Sequence, residues 1–363
     1  MIPIAKPLIG ENEKQLVNEV LNSGMLAQGS KVKLLEEKFA SLCNVKYAVA
    51  VNSGTAAIHA ALNACGVGLG DEVITTPFTF IATASPILML GAIPVFVDID
   101  ENTFNIDPKK IEEKITEKTK VIMPVSLFGQ PYDYKPIKEI ADKHNLKIVE
   151  DACQSVNASF DGIKSGALGD ISAFSLYATK NMTCGEGGMV TTNNADYADN
   201  LKKFRHHGQS EEARYNYHSL GYNYRMSDLH AAIALAQIGR IEEFTEKRIE
   251  NAKMFTEKLK NIKEITTPYV VPNVKHVFHQ YTIKTDHRDK IIEAFKKKGI
   301  GFGIFYPKPL HLFPLFSKFR YKERDFPVAE KIANQVLSLP VHPGVSKENI
   351  DEIVSTIEEV FKC

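Results

Sequence analysis

The chain of 363 residues lacks an excess of charge of either sign, with 44 Lys plus Arg against 44 Asp plus Glu. Without a global field, neither a nucleic-acid backbone nor an acidic membrane surface is selected as a partner, so any anionic ligand has to be met by local groups. Cysteine is scarce: Cys43, Cys65, Cys153, Cys184 and Cys363 are odd in number and show no CxxC spacing. This excludes a disulfide framework and a structural zinc site, leaves no metal expected, and points to a reducing compartment. Long apolar runs are missing too. The stretch around residues 87–97 is interrupted by Gly91 and Pro94, and Met1 leads into Ile-Pro-Ile-Ala-Lys-Pro rather than a basic segment followed by an apolar one. The expectation is a soluble, cytoplasmic protein.

From about residue 45 to 195, short β-branched runs alternate with helix-like segments. Candidate strands cover 47–51, 72–76, 94–97, 120–125, 146–150, 171–175 and 189–192. Such alternation predicts an α/β core built on a mainly parallel sheet covered on both faces. Thr55-Ala-Ala-Ile-His-Ala-Ala-Leu is alanine-rich and follows Ser53-Gly54, as a helix beginning just past a strand does. Residues 133–144 give another crossover helix. From Asp228 the pattern lengthens into one long helix running through Lys260 toward a second domain, where 278–283 reads as a strand and 289–298 and 346–361 as amphipathic helices.

Chemistry concentrates at three places. Lys180 sits in Ser175-Leu-Tyr-Ala-Thr-Lys180-Asn-Met-Thr-Cys-Gly-Glu-Gly-Gly188, where Gly185, Gly187 and Gly188 would let backbone approach a bound ring. An amine with a reference pKa of about 10.4 becomes a carbonyl nucleophile only when desolvation or a neighbouring cation lowers it. Asn52-Ser53-Gly54-Thr55 turns a strand into a helix whose free N–H groups and positive dipole end suit a phosphate. Glu150-Asp151-Ala-Cys-Gln154 closes an apolar strand with acids at the edge where α/β sheets hold ligands. A carboxylate such as Asp151 can keep a pyridine nitrogen protonated. Taken singly, these are also an ordinary solvated lysine, an N-cap and a capping aspartate. Ser175 at a strand end reads as a further phosphate donor and Phe80 as a ring that stacks, while Glu186 braces its glycine loop. Lys31, Lys33, Arg205, His206, His207, Arg225 and Lys308 are the cations available to a diphosphate.

In combination these segments resemble the DegT/DnrJ/EryC1/StrS family of sugar-nucleotide aminotransferases, within the aspartate aminotransferase group. The likeness covers almost the whole chain: Asn52-Ser-Gly-Thr-Ala-Ala, Asp71-Glu-Val-Ile-Thr-Thr-Pro, Glu150-Asp-Ala, Lys180 with its glycines, Gly221-Tyr-Asn-Tyr-Arg-Met-Ser-Asp, and Tyr306-Pro-Lys-Pro-Leu-His311. The resemblance implies an α/β PLP-dependent transferase of fold type I. Its mainly parallel seven-stranded sheet is sandwiched by helices in a cofactor-binding domain over residues 1–245, with an N-terminal helical segment, and a smaller C-terminal α+β domain spans 246–363. It implies pyridoxal 5'-phosphate as cofactor, with Lys180 as the Schiff-base lysine, Asp151 at the pyridine nitrogen and Gln154 beside the ring. Gly54, Thr55 and Ser175 would hold the phosphate and Phe80 would stack on the ring. Asn223 would reach the phosphate of a neighbouring subunit's site, in a homodimer with composite sites. Tyr306 and His311 match a segment near the sugar.

The implied activity transfers the amino group of glutamate to a nucleotide-linked keto-deoxysugar, in polysaccharide or glycan biosynthesis. Lys180 stands where related dehydratases carry histidine, and the stretch from Asn181 to Gly188 is more similar to 4-aminating than to 3-aminating members. This favours C4 of an NDP-4-keto-6-deoxyhexose. The alternatives are a 3-keto sugar nucleotide, a keto-cyclitol, or a non-enzymatic regulator that retains the cofactor.

Overall fold

The structure is a computed structural model that describes residues 1–210 and 215–362; Cys363 lies outside the described residues. In chain order, α1 (Glu11–Ser23) and α2 (Ser30–Cys43) precede β1 (Tyr47–Val51), α3 (Gly54–Ala64), β2 (Glu72–Thr75), α4 (Ile81–Met89), β3 (Ile93–Phe96) and β4 (Thr119–Ile122). Then come α5 (Tyr134–Lys143), β5 (Lys147–Asp151), the short β6 (Ser159–Phe160) and β7 (Ile163–Lys164), β8 (Ile171–Ser175), β9 (Gly188–Thr192), α6 (Ala195–Arg205), α7 (Asp228–Ile238) and α8 (Ile241–Leu259). The remainder comprises β10 (Val274–Lys275), β11 (Tyr281–Lys284), α9 (Arg288–Lys298), α10 (Pro327–Gln335), β12 (Val336–Leu339) and α11 (Lys347–Phe361).

Seven strands form one sheet in the order β1-β9-β8-β5-β4-β2-β3. Four of its neighbouring pairs are parallel, and β9 alone runs against its neighbours β1 and β8. Every residue of β8 and β9 is buried, as in strands covered on both faces. One face is covered by alanine-rich α3, whose small side chains pack with Val49, Val51, Val73, Val121 and Val190. On the other, Phe39 and Leu35 of α2 and Ala231, Ala234 and Leu235 of α7 meet Phe174 and Met189. Each such fully buried Leu, Val or Phe contributes about 1.5–3 kcal/mol of transfer free energy, so the two layers fix the strand ends firmly. A separate antiparallel pair, β11 with β12, carries α8, α9 and α11 around a second core that also takes in Ile2.

Two expected elements come out differently. The long helix after Asp228 is two helices, because α7 ends at Gly239 and the Arg240 N–H turns back to the Gln237 carbonyl at 2.9 Å. The strand expected at 278–283 begins only at Tyr281. Phe278 has φ of 42°, the left-handed region a strand cannot use. Val277 and Gln280 instead donate their N–H groups to the carbonyls of Gly129 and Phe128.

Candidate active site

At the C-terminal edge of β5, the strand extends one residue further than its apolar pattern indicates, and Asp151 pairs with Ala173 of β8 as its last member. Its backbone N–H donates to the Pro124 carbonyl at 2.9 Å, which fixes where the carboxylate emerges. The carboxylate is 3% exposed. Oδ2 accepts from Thr83 Oγ1 at 2.7 Å and Oδ1 from the Cys153 N–H at 3.1 Å. A carboxylate offers about four acceptor sites, so these two bonds leave capacity for a ligand.

Ser53 caps α3, its Oγ accepting from the Ala56 N–H at 3.1 Å. That leaves the N–H groups of Gly54 and Thr55 at the helix start outside the capping bond, beside a positive dipole end. Gly54 is required by geometry: a Cβ there would stand 2.7 Å from the Cβ of Ser175 on β8. Gly188 is required as well, since its Cβ would sit 2.2 Å from the Ser53 carbonyl oxygen. Gly187 and Gly188 therefore serve the protein's own packing. A Cβ at Gly187 would meet Cys184 Sγ at 2.5 Å, and neither glycine borders the cavity, which corrects the expectation that they make room for a ring.

Lys180 lies on the loop joining β8 to β9, its N–H donating to the Tyr177 carbonyl at 2.9 Å. Burial lowers its ammonium below the ordinary lysine value, and the negative charge of Asp151 offsets only part of that. Lys180, Asp151, Gly54, Thr55, Ser175, Phe80, Gln154 and Tyr306 all border one cavity of about 580 Å³. Gln154 is fixed at both ends, Oε1 accepting from the Phe128 N–H at 2.8 Å and Nε2 donating to Tyr306 Oη at 3.2 Å. Burial pushes the Tyr306 phenol up, so it stays neutral. The Phe80 and Tyr306 rings lie 6.2 Å apart, and Phe80 remains 56% exposed.

One residue expected in this chain's own site is not brought there. His311 is buried outside the cavity, its Nε2 3.1 Å from Glu330 and its ring edge-on to Phe326, because the turn at Leu310–Leu312 carries it inward against α10. Asn223 is exposed on the segment whose neighbour Tyr224 accepts the Asn52 N–H, and it does not border the cavity within this chain. Among the described residues, none of the seven cations singled out for a diphosphate borders the cavity either. Arg205 is 1% exposed and committed to Glu36 and the Ala50 carbonyl. Lys31 pairs with Glu19, and Arg225 reaches His206.

The sequence reading missed Thr79, Thr83, Phe128, Tyr177 and His279, all of which border the cavity, and it gave Glu186, which does too, only a bracing role. His279 is held by Asn181, Oδ1 to its Nδ1 at 3.2 Å, while Asn181 Nδ2 donates to the Val277 carbonyl. Burial first, then the charges of Lys180 and Arg248, keep its imidazole neutral. The one available signal was the Thr79/Thr83 spacing of four, which puts both hydroxyls on one side of a helical start. Among the described residues there is no group of three or more His, Cys, Asp or Glu able to hold a metal, and no helix is long and apolar enough to cross a membrane.

Residues 7–358 match the DegT/DnrJ/EryC1/StrS aminotransferase family. The chain belongs to this family. Among relatives, it is 40% identical to the spore coat polysaccharide biosynthesis protein SpsC of Bacillus subtilis, over 99% of this chain and 97% of that protein. It is 38% identical to the GDP-perosamine synthase of Caulobacter vibrioides, over 99% and 98%. Against the UDP-2-acetamido-2-deoxy-3-oxo-D-glucuronate aminotransferase of Pseudomonas aeruginosa the identity is 37%, over 94% of each. The structure superposes on the PLP form of the sugar aminotransferase Spr1654 from Streptococcus pneumoniae, described there as putative, with a TM-score of 0.94 and 30% identity, covering 99% of this chain and 98% of that one. The DegT/DnrJ/EryC1/StrS chain is thus an aminotransferase of PLP-dependent fold type I with pyridoxal phosphate as its cofactor. The site fits that group: the start of α3 lies against Ser175 at the end of β8, and an amine and a carboxylate share the same cavity.

Proposed function

We propose that the protein aminates C4 of a nucleotide-linked 4-keto-6-deoxyhexose with glutamate as donor, in polysaccharide or glycan biosynthesis. The observation that carries the reading is the convergence of Lys180, Asp151 and the α3 N-terminus on one cavity. The GDP-perosamine synthase and the 3-oxo-glucuronate aminotransferase among its relatives support a sugar nucleotide as acceptor. When bound, pyridoxal phosphate supplies an aldehyde that condenses with amines and a ring that takes up negative charge. Gly54, Thr55 and Ser175 would hold its phosphate, Phe80 and Gln154 would flank its ring, and Asp151 would keep its nitrogen protonated. Lys180 would be the amine that bonds the aldehyde. As a free amine, Lys180 Nζ would take the proton from the donor's α-carbon and deliver it to the carbon that carried the aldehyde, a role that its lowered basicity suits. Tyr306, neutral and fixed by Gln154, would face the substrate.

Asn223 would complete the site of a second copy in a homodimer. The large apolar side chains Met25, Leu26, Tyr177, Tyr217 and Leu220 are exposed on the isolated chain, which supports burial by a partner. Residues 1–245 form the cofactor-binding domain and 246–363 the smaller domain in this reading, with α8 crossing the division. A cytoplasmic setting is supported by Cys43, Cys65, Cys153 and Cys184, all free thiols.

The test is to incubate the enzyme with glutamate and a panel of nucleotide 3-keto and 4-keto sugars, following 2-oxoglutarate and locating the new amine by NMR. Turnover with 4-keto-6-deoxy substrates supports the proposal. Amination at C3 alone would replace it with the 3-keto reading, and no 2-oxoglutarate with any ketosugar would reject a sugar substrate.

A further inference from the structure

Asp151 is not held by backbone alone. Its Oδ2 accepts from Thr83 Oγ1 at 2.7 Å, and Thr83 Oγ1 lies 2.8 Å from Thr79 Oγ1. All three side chains are nearly inaccessible, at 3%, 2% and 2% exposure, yet all three border the cavity. Counting protons fixes the direction of the chain. An ionised carboxylate only accepts and a threonine hydroxyl has one proton. Thr83 therefore spends its proton on Asp151, and the Thr79–Thr83 bond must be a donation from Thr79 to Thr83. Each donation polarises the next, so the carboxylate receives a stronger bond than Thr83 alone would give.

The local fold explains how this arises. The chain leaves β2, and Thr83 enters the first turn of α4 with its N–H on the Phe80 carbonyl at 3.0 Å. One turn thus carries Phe80 to the cavity and Thr83 to Asp151. A β-branched side chain has few χ1 choices in a helix, which makes the hydroxyl a fixed rather than a mobile donor.

We propose that Thr83, backed by Thr79, is a positioning residue for the reaction: it fixes the Asp151 carboxylate in the orientation that meets the cofactor's ring nitrogen. The proposal rests on the assignment of Asp151 to that nitrogen. A carboxylate stripped of this donor would turn more freely and hold the ring nitrogen's N–H less well. The ring would then hold negative charge less well.

The experiment compares Thr83→Val, Thr83→Ser, Thr79→Val and Asp151→Asn as cofactor-loaded enzymes. Turnover, KM for the amino donor and the pH titration of the cofactor's visible absorbance are measured in each, after equal cofactor content is established. Losing one hydrogen bond to a charged group predicts that Thr83→Val lowers kcat about tenfold to hundredfold. KM should move little and the absorbance titration should shift. Thr79→Val should do the same more weakly, and Thr83→Ser should recover most of the turnover. If Asp151→Asn is crippled while Thr83→Val matches wild type in kcat and titration, this proposal is overturned and the Asp151 assignment stands. Equal damage from Thr83→Ser and Thr83→Val would overturn it too, since a methyl contact would then be responsible. An active Asp151→Asn enzyme would remove the assignment itself. Should Thr83→Val fail to fold, Thr83→Ala against Thr83→Ser makes the same comparison.

Discussion

Replacing Gly54 with alanine probes the cofactor cradle at its tightest point. The added Cβ would stand 2.7 Å from Ser175 Cβ, 3.1 Å from its Oγ and 3.2 Å from its Cα. The first distance is far inside the usual 3.5–4.0 Å carbon contact, and neither partner is the far end of a flexible chain. Either the start of α3 or the end of β8 must move, and overpacking of this kind costs about 1–3 kcal/mol. If the strain is expressed at the phosphate donors, cofactor affinity falls by roughly 5- to 150-fold, at 1.4 kcal/mol per factor of ten. Thermal denaturation of the cofactor-free protein and spectrophotometric titration with pyridoxal phosphate read the two parts. The decisive variant is the pair Gly54→Ala with Ser175→Gly. Removing Ser175 Cβ and Oγ leaves only the 3.2 Å contact, so stability should return, while affinity stays low because the Ser175 hydroxyl is gone. Unchanged affinity and melting in Gly54→Ala would show that α3 and β8 are not tightly opposed at this point, as would a double variant no more stable than the single one.

Other consequences follow from buried polar groups. Arg205→Met takes the cation from half-buried Glu36 and the donor from the Ala50 carbonyl, leaving Glu36 only the Ala50 N–H, and predicts a loss of about 1–3 kcal/mol in chemical denaturation. Tyr306→Phe takes the acceptor from Gln154 Nε2 and should lower kcat/KM by roughly fivefold while cofactor content is retained, as one hydrogen bond of about 1 kcal/mol would. His59 is fully buried, and burial lowers its folded pKa from 6.5 to about 4. A folded pKa below the unfolded one means the unfolded chain binds the proton first. Its contribution is thus intact above pH 6.5 and lost as pH falls toward 4, up to about 3 kcal/mol at 1.36 kcal/mol per pKa unit. Urea unfolding of His59→Phe at pH 7 and pH 5 should show a smaller acid loss than wild type; an equal loss would assign it to the other buried histidines.

Much of this architecture was legible because it is written locally. The strands announce themselves as short β-branched runs, and α3 as an alanine stretch behind Ser53 and Gly54, so the points where strand becomes loop at Asp151 and Ser175 could be read within a residue. What escaped was set by contacts distant in sequence. His279 reaches the cavity because Arg248 and Gly129 hold its segment away from β11, and nothing near residue 279 encodes that. Arg205 and His311 have the composition of ligand-binding residues, but burial against Glu36 and Glu330 consumes them. The glycines near Lys180 are visible as a motif, whereas the reason for Gly188, the closeness of the Ser53 carbonyl, exists only once β1 and β9 are paired.

The central claim is that the Lys180 amine bonds the cofactor aldehyde. Borohydride reduction of the loaded enzyme, followed by proteolysis and mass mapping, tests it directly. The account predicts one reduced pyridoxyl adduct, on Lys180, and none in Lys180→Ala. An adduct on a different lysine, or the same adduct yield in Lys180→Ala, would contradict it.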